Sequence, residues 1–489
     1  MKEVNKMKLE DLLVEVESKD IIGGTQLNIT GVAFNSMEVR PGNIFVCITG
    51  FKTDGHKYAA DAVARGAVAV VAERDMSELG VTCVICENTR LALALISATF
   101  YGHPERKFKL IGITGTNGKT TTTYLIKSVL ESMGKRVGLI GTNQNMIGAE
   151  VIPSQHTTPD SLELMQLFSQ MADKGADYVV MEVSSHSLAL ERVAACRFDV
   201  GAFTNITQDH LDFHETMEKY IAAKGILYTI SKSGVVNADD EASDYLLGVS
   251  KCDKMLTYGI EKECDMRASN VALSEKGISF DVVYDNKKYG VELGIPGKFS
   301  VYNALTALSC LVSVGIPMED AVAGLKSARG VKGRIEVVET GKDFSVIIDY
   351  AHTPDGLYNV ISTIRGFCKG RIITVFGCGG DRDKTKRPKM GKIAAALSDY
   401  CVVTSDNPRS EDPEKIVEQV VDGVKDGNCE YTVVINRFEA IEFALDHAKK
   451  NDIVLLAGKG HETYQILEDR TIDFDEREIV KKLLDIQCD

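Results

Sequence analysis

The sequence predicts an α/β protein built from several domains, and three observations carry that expectation. A β-branched run at 110–114 breaks into Gly115-Thr116-Asn117-Gly118 and resumes as a helical pattern ending near Gly134. Four apolar runs in the last third each end in a polar cluster, with helical segments between them. At 489 residues the chain is too long for one ordinary core, so about two to four domains are expected.

Residues 1–107 read as a first, small α/β domain. Strands are predicted at 68–71 and 81–85, and helical pieces at 61–65 and 91–100, before Gly102-His103-Pro104 closes the unit. It carries no catalytic cluster. Thr53-Asp54-Gly55-His56 reads locally as a turn. Cys83 and Cys86 form a CxxC with no second pair at zinc spacing, so buried thiols are expected.

Residues 108–330 form the central domain, organised by the strand–glycine turn–helix. The glycines let the backbone turn tightly with its N–H groups inward, and the helix start adds further unpaired donors. A phosphate is well held there. Lys119 can reach terminal phosphates, and the Thr120 hydroxyl can ligate magnesium bound to them. The standard GxxxxGK[ST] pattern wants glycine at 113, where the chain has Ile113; Gly112, Gly115 and Gly118 are spaced by three instead. The bland alternative is a glycine-rich turn with an incidental lysine. Strand, glycines, Lys-Thr and helix agree with one another, so ATP binding is predicted.

A helix at 161–174 leads to a strand at 177–181, which ends in Glu182-Val183-Ser184-Ser185-His186. A second cluster, 204–214, contains His210. Alone, Glu182 reads equally as a salt-bridge partner and His210 as part of a capped turn. Beside an ATP–magnesium site, a carboxylate and an imidazole in separate loops favour metal ligation. Lys224, in a small-residue helical stretch, reads as a solvated lysine or a phosphate contact. A strand at 234–236, a hairpin-like region at 266–295 and a helix at 302–314 complete the domain.

Residues 331–489 form the third domain. Strands at 344–348, 371–376, 401–404 and 453–457 alternate with helices at 389–396, 413–424 and 438–449. Such crossovers imply a mostly parallel sheet, with the four polar clusters on one edge, where α/β proteins bind ligands. Arg382, Asn407 and Arg409 supply donors for a carboxylate, and Glu462 suits an ammonium group. Together they suggest a zwitterionic amino acid. ATP plus an amino acid allows ligation through an acyl phosphate, adenylation, or phosphorylation of the amino acid. A non-ligase P-loop ATPase is the competing class; it needs a coupling element that the sequence does not display.

The formal net charge is −14 and charged residues make up 26%, which disfavours nonspecific binding to nucleic acid or to anionic membrane. No run is long enough to span a bilayer, and the charged start lacks a secretion signal. A cytoplasmic monomer is expected.

With these motifs in order, the chain resembles the Mur ligase family of peptidoglycan precursor synthesis. The likeness rests on Gly115-Thr116-Asn117-Gly118-Lys119-Thr120-Thr121, Thr157-Thr158-Pro159, Glu182 to His186, Asp209-His210-Leu211-Asp212 and Ala223-Lys224. It continues through Gly333-Arg334, Asp349 to Pro354, Asp406-Asn407-Pro408-Arg409 and Gly458 to Glu462. The resemblance implies a three-domain architecture with a central P-loop ATP-binding domain and a C-terminal Rossmann-like domain. It further implies that ATP phosphorylates the D-glutamate γ-carboxylate of UDP-N-acetylmuramoyl-L-alanyl-D-glutamate, and that an amine displaces the phosphate.

Residue roles follow from the same resemblance. Thr120 and Glu182 are implied in magnesium coordination, and His210 in a second magnesium site. Lys224 is implied as the lysine carbamylated in the family. Asn303, Arg334, Asp349 and His352 are implied in the ATP pocket. Thr157, Thr158, Ser184 and Arg192 are implied contacts to the UDP-muramoyl dipeptide, with Ser36 near its uridine end. Asp406, Asn407, Arg409, Arg382, Gly458 and Glu462 are implied around meso-diaminopimelate. That amine is favoured over L-lysine by the Asp-Asn-Pro-Arg version of the loop. Two departures stand out: Asn35-Ser36-Met37 replaces Asp-Ser-Arg of many relatives, and Phe299-Ser300 replaces Phe-Asn.

Overall fold

The structure, a computed structural model, describes residues 6–50, 53–152, 154, 156–274, 277–328 and 330–486, with the Asp212 side chain outside the description. Part of the predicted charged start and of the Asp209–Asp212 motif therefore lies outside the described residues. Contacts divide the chain into two units, Met1–Met266 with Thr306–Ala321, and Arg267–Leu305 with Val322–Asp489.

The first unit opens with a five-stranded sheet. Its elements are β1 (Asp20–Ile22), β2 (Gly31–Ala33), β3 (Asn43–Val46), α1 (Ala59–Ala64), β4 (Ala69–Ala72), β5 (Thr82–Ile85) and α2 (Thr89–Phe100). The strand order is β1-β5-β4-β3-β2, parallel except for β1. Ile44, Phe45, Val46, Val70 and Val71 are fully buried, as expected for strands covered on both faces. Asn88 starts α2 by accepting from the N–H groups of Arg90 and Leu91. Cys83 and Cys86 are buried free thiols, as expected. Thr53–His56 forms a turn in which Asp54 accepts from the His56 N–H at 3.0 Å.

A second sheet of this unit contains β6 (Lys109–Thr114), α3 (Lys119–Ser132), β7 (Val137–Ile140), β8 (Asn145–Ile147), β9 (Glu150–Ile152), α4 (Ser161–Asp173) and β10 (Tyr178–Glu182). It continues with α5 (Ser185–Ala189), β11 (Phe198–Phe203), α6 (Leu211–His214), α7 (Met217–Gly225), β12 (Ser231–Asn237) and β13 (Lys254–Gly259). The order is β9-β8-β7-β10-β6-β11-β12-β13. The six strands from β7 to β13 run parallel, so β6, β7, β10 and β11 all end on one edge. The glycine turn follows β6 in the middle of that edge, with strands ending on either side of it.

The predicted hairpin-like region is β14 (Met266–Ser274), β15 (Gly277–Tyr284) and β16 (Lys287–Leu293), followed by α8 (Lys298–Ser313); of these, the residues from Arg267 to Leu305 belong to the second unit. Its main sheet is built from β17 (Glu336–Val338), β18 (Ser345–Asp349), α9 (Pro354–Arg365), β19 (Ile372–Phe376), α10 (Lys386–Leu397), β20 (Tyr400–Val403) and α11 (Pro413–Val424). β21 (Glu430–Val433), α12 (Arg437–His447), β22 (Ile453–Ala457), the hairpin β23 (Tyr464–Ile466) and β24 (Thr471–Asp473), and α13 (Glu476–Leu483) complete it.

The order is β17-β18-β22-β19-β20-β21, parallel except for β17. Ile347 and Leu455 pack with α9, α10 and α11 on one face. Val346, Ile348, Val454 and Leu456 pack with α12 and α13 on the other. Alternating strand residues thus bury against helices on both sides, the doubly wound arrangement. Two of its helices start on a side-chain cap followed by proline: Thr353 caps α9 and Asp412 caps α11. The four polar clusters predicted after strands all fall on one sheet edge. Among the described residues, no helix is long and apolar enough to cross a membrane.

Candidate active site

The P-loop turn is held from several directions. Gly115 has φ +145°, and a Cβ there would lie 1.9 Å from Thr204 Oγ1. Gly118, with φ +85°, turns the chain into α3. The Asn117 N–H donates to Asn205 Oδ1 at 3.0 Å, and Asn205 Nδ2 donates to the Asn117 carbonyl at 3.1 Å. Thr116 Oγ1 lies 3.1 Å from the Tyr220 hydroxyl. Lys119 folds back over the loop, donating to the Gly115 and Thr116 carbonyls at 2.8 Å each. The loop backbone is therefore fixed in place, with the Thr116 and Asn117 N–H groups taken by Asn205 and the first N–H groups of α3 left without intrahelical partners.

Gly115→Ala is expected to lower ATP-dependent turnover at least about a hundredfold, because both the backbone angle and the Thr204 contact exclude a side chain. Gly134→Ala, where nothing lies within 4 Å of the added carbon but φ is +74°, is expected to cost about 1 kcal/mol of stability and little activity. ADP release and thermal melts of both variants check the contrast.

Glu182 ends β10 and is 1% exposed. Its Oε1 accepts from Thr120 Oγ1 and from the Thr142 N–H, both at 2.9 Å, and its Oε2 accepts from Thr142 Oγ1 at 3.0 Å. Among the described residues no cation pairs with it, so the salt-bridge reading does not hold for Glu182, whereas His210 does stand at the N-cap of α6. Thr142 Oγ1 also meets Thr157 Oγ1 at 3.0 Å. Thr158 Oγ1 donates to the Glu182 carbonyl at 2.9 Å and accepts from the Ser184 N–H at 3.1 Å. Arg192 Nη1 donates to the Thr158 carbonyl at 3.0 Å. Thr120, Thr157, Thr158, Glu182, Ser184 and Arg192 thus form one connected network.

Thr120 and Glu182 supply hydroxyl and carboxylate oxygens, the hard donors magnesium takes, with phosphate oxygens and water completing its shell. Among the described residues, no three His, Cys, Asp or Glu side chains converge on one point. Magnesium usually uses one or two carboxylates with substrate phosphates, so these residues fit it.

His210 has φ +52° and faces the His186 ring, with centroids 4.8 Å apart. Lys224 corrects the local reading of a solvated lysine: it is 1% exposed, with its ammonium 4.5 Å from the Tyr220 ring centroid. Among the described side chains, no carboxylate pairs with it. Burial, then the Lys119 charge, holds its pKa well below 10.5, while Asp209 opposes that shift. Ser36 is buried in a short turn, where Asn35 Oδ1 accepts from the Met37 N–H at 3.1 Å. Asn35 thereby does the capping an aspartate would do, and Met37 is exposed.

In the second unit, Asn303 is buried on α8. Asp349 accepts from the Ile335 and Ala351 N–H groups at 2.8 Å, and its burial pushes its pKa up. The Arg334 guanidinium lies 5.0 Å from the Tyr350 ring centroid, on a ring that also packs against His352 and His461. His352 Nδ1 donates to the Tyr350 carbonyl at 2.8 Å, and burial lowers its pKa. Burial and nearby Arg334 and Arg477 push His461 down to about 4, so its imidazole is neutral near pH 7.

The remaining clusters of this edge interlock. Gly458 has φ +120°, and its missing Cβ leaves room 2.8 Å from Asp406 Oδ2. Arg409 has φ +53° and donates through Nη1 to the Gly380 carbonyl at 2.9 Å. Asn407 Nδ2 donates to Glu462 Oε2 at 2.9 Å. Arg382 is exposed, with Nη1 3.2 Å from the Asp381 carbonyl. Positive forks and a carboxylate are thus gathered in one pocket edge, an arrangement that can hold a zwitterion.

Several supporting residues had no role in the sequence reading: Thr142, Asn205, Tyr220, Lys459 and Gln465. Thr142 follows the apolar run of β7, which a search for polar residues after every strand would have flagged. Asn205 and Lys459 lie in clusters the sequence analysis singled out, but without an assigned role; Tyr220 and Gln465 act across loops and leave no local signal.

Comparison with known proteins agrees with this geometry. The Mur ligase middle domain matches residues 113–311, the Mur ligase glutamate ligase domain residues 333–460, and the catalytic domain of the Mur ligase family residues 28–101. A UDP-N-acetylmuramoyl-L-alanyl-D-glutamate–2,6-diaminopimelate ligase of Caldanaerobacter subterraneus subsp. tengcongensis is 52% identical over 480 residues, 98% of this chain and 99% of the relative. The ligase of the same name from Clostridium botulinum is 46% identical, over 97% of this chain and 99% of the relative. A solved structure of a ligase with that name superposes with a TM-score of 0.74 at 31% identity, covering 98% of this chain and 99% of the other. Such identity over almost the entire length, with three family domains matched in order, means that the chain belongs to the Mur ligase family.

Proposed function

We propose that this chain joins meso-2,6-diaminopimelate to the D-glutamate γ-carboxylate of UDP-N-acetylmuramoyl-L-alanyl-D-glutamate, with ATP, in peptidoglycan precursor synthesis. The observation that carries the reading is the 52% identity, across 98% of the chain, to a ligase bearing that name. The Asp406–Arg409 loop beside Glu462 supports the amine, since it sets carboxylate-binding forks next to an ammonium acceptor.

In this reading, a γ-carboxylate oxygen attacks the γ-phosphorus of ATP and ADP leaves. The amine nitrogen then attacks the acyl carbon, loses its proton, and phosphate departs with the former carboxylate oxygen. The P-loop N–H groups and Lys119 offset charge on the transferring group. Magnesium, held through Thr120 and Glu182, would neutralise the same phosphates. His210 is assigned to a second ion. Thr157, Thr158, Ser184, Arg192 and Ser36 are assigned to the nucleotide dipeptide. Asn303, Arg334, Asp349 and His352 are assigned to ATP, and Arg382, Asp406, Asn407, Arg409, Gly458 and Glu462 to diaminopimelate. The domains are read as 1–107, 108–330 and 331–489, in a cytoplasmic monomer.

The test is amide synthesis with the dipeptide γ-carboxylate labelled with heavy oxygen. Label in the released phosphate, and a product mass containing diaminopimelate, are expected. Unlabelled phosphate removes the acyl phosphate; faster reaction with L-lysine removes the amine; ADP release without amide removes the ligase.

Lys224 is read as carbamylated: its neutral amine bonds carbon dioxide, releases a proton and becomes an anion that would help hold the second ion. Its burial and lowered pKa support this, because the neutral amine is the reactive form. Enzyme depleted of bicarbonate is expected to lose activity and regain it on adding bicarbonate. At fixed dissolved carbon dioxide, reactivation should speed up as pH rises and level off well below pH 10.5. Lys224→Ala should not respond.

A further inference from the structure

Lys459 is fully buried beneath the amine pocket, in the turn between Gly458 and Gly460, which both have positive φ. Its ammonium donates to Asn407 Oδ1 at 3.1 Å and to Glu462 Oε2 at 3.0 Å. Asn407 Oδ1 also accepts from the Ile466 N–H at 2.9 Å. An atom that receives two donors must be the amide oxygen, so Nδ2 is turned toward Glu462. Glu462 Oε2 then takes both Asn407 Nδ2 and the ammonium. Among the described residues no donor reaches Oε1 of that carboxylate, which remains for a ligand.

We propose that Lys459 is a positioning residue of the amine pocket, fixing the Asn407 amide and the Glu462 carboxylate in the one arrangement that receives the amino acid. This rests on the reading of that pocket as the diaminopimelate site. The ammonium lies 5.7 Å from the Tyr464 ring centroid and 5.9 Å from that of Phe474, closed off from solvent, so it acts through its two partners. Without it, Asn407 Oδ1 keeps only the Ile466 N–H and Glu462 Oε2 keeps only the Asn407 amide, so the pair loses the cation that clamps the two side chains together. Glu462 also loses the cation that balances it beside Asp406.

The test uses K459M, which keeps the aliphatic stem and removes the charge. The KM for diaminopimelate is expected to rise at least about tenfold, with the KM for ATP and for the nucleotide dipeptide within about twofold of the parent. Hydroxylamine supplied in place of the amino acid traps the acyl phosphate as a hydroxamate without using this pocket, and its yield is expected to hold. K459Q retains a donor toward Asn407 and is expected to fall between. An unchanged KM for diaminopimelate, or equal losses of hydroxamate and amide, overturns the role. If K459M does not fold, K459Q carries the same measurement; failure of both to fold also overturns it, because the lysine would then serve the fold. If the parent enzyme prefers L-lysine, the substrate reading fails separately, and the same comparison is made with that amine.

Discussion

Glutamine at position 182 is expected to lower turnover about a hundred- to a thousandfold while the protein stays folded. The hydrogen bonds explain why the two effects separate. With its carbonyl at the Oε1 position, glutamine still accepts from Thr120 Oγ1 and the Thr142 N–H, both now at 2.9 Å. Its NH₂ group then faces Thr142 Oγ1, a hydroxyl that can accept as well as donate. The network survives and only the charge is lost. That charge is what a magnesium ion on ATP phosphates requires from the protein. Steady-state ADP release across a magnesium titration should show a lower kcat that excess magnesium does not restore. The melting temperature should stay within about 2 °C of the parent. A variant that melts much earlier would mean that Glu182 serves the fold.

Arg409→Ala is expected to reduce kcat/KM for diaminopimelate about a hundredfold and for L-lysine far less, so that the preference between them narrows. The two amines differ by one carboxylate, and an arginine fork is the group suited to bind it. A pocket that keeps its other charges but loses this partner leaves the second carboxylate poorly paired. Arg409 sits at φ +53°, and alanine inherits the same backbone strain, so the comparison isolates the side chain. Competition between the two amines, read by product mass, is the measurement. An unchanged ratio would remove Arg409 from substrate choice.

Most of the fold could be read from the chain because its central strands are short apolar runs closed by glycine or polar residues. The helix expected at 413–424 is α11, and the structure shows what fixes its start: Asp412 caps it and Pro413 opens it. The short antiparallel strands β8 and β9, the β23–β24 hairpin and α13 were not foreseen; their pairing depends on neighbours distant in sequence. The glycine turn, Glu182 and the Asp406–Arg409 loop were visible as polar residues after strands. Lys224 was misjudged locally, since nothing in its neighbours along the chain announces that the fold encloses it. Thr142 and Asn205 both follow strands, but their roles were not legible, because each supports a segment roughly forty to ninety residues away.

The hairpin after β22 has a consequence for altering this enzyme. Gln465 Nε2 donates to the Asp406 carbonyl at 2.6 Å, the Ile466 N–H to Asn407, and the Arg409 N–H to the Ile466 carbonyl at 3.2 Å. The four-residue loop assigned here to the incoming amine is thus splinted by a ribbon more than fifty positions downstream. Grafting that loop alone into a relative would transplant the teeth without the jaw. An exchange of amine preference between family members would have to move loop and ribbon as one cassette.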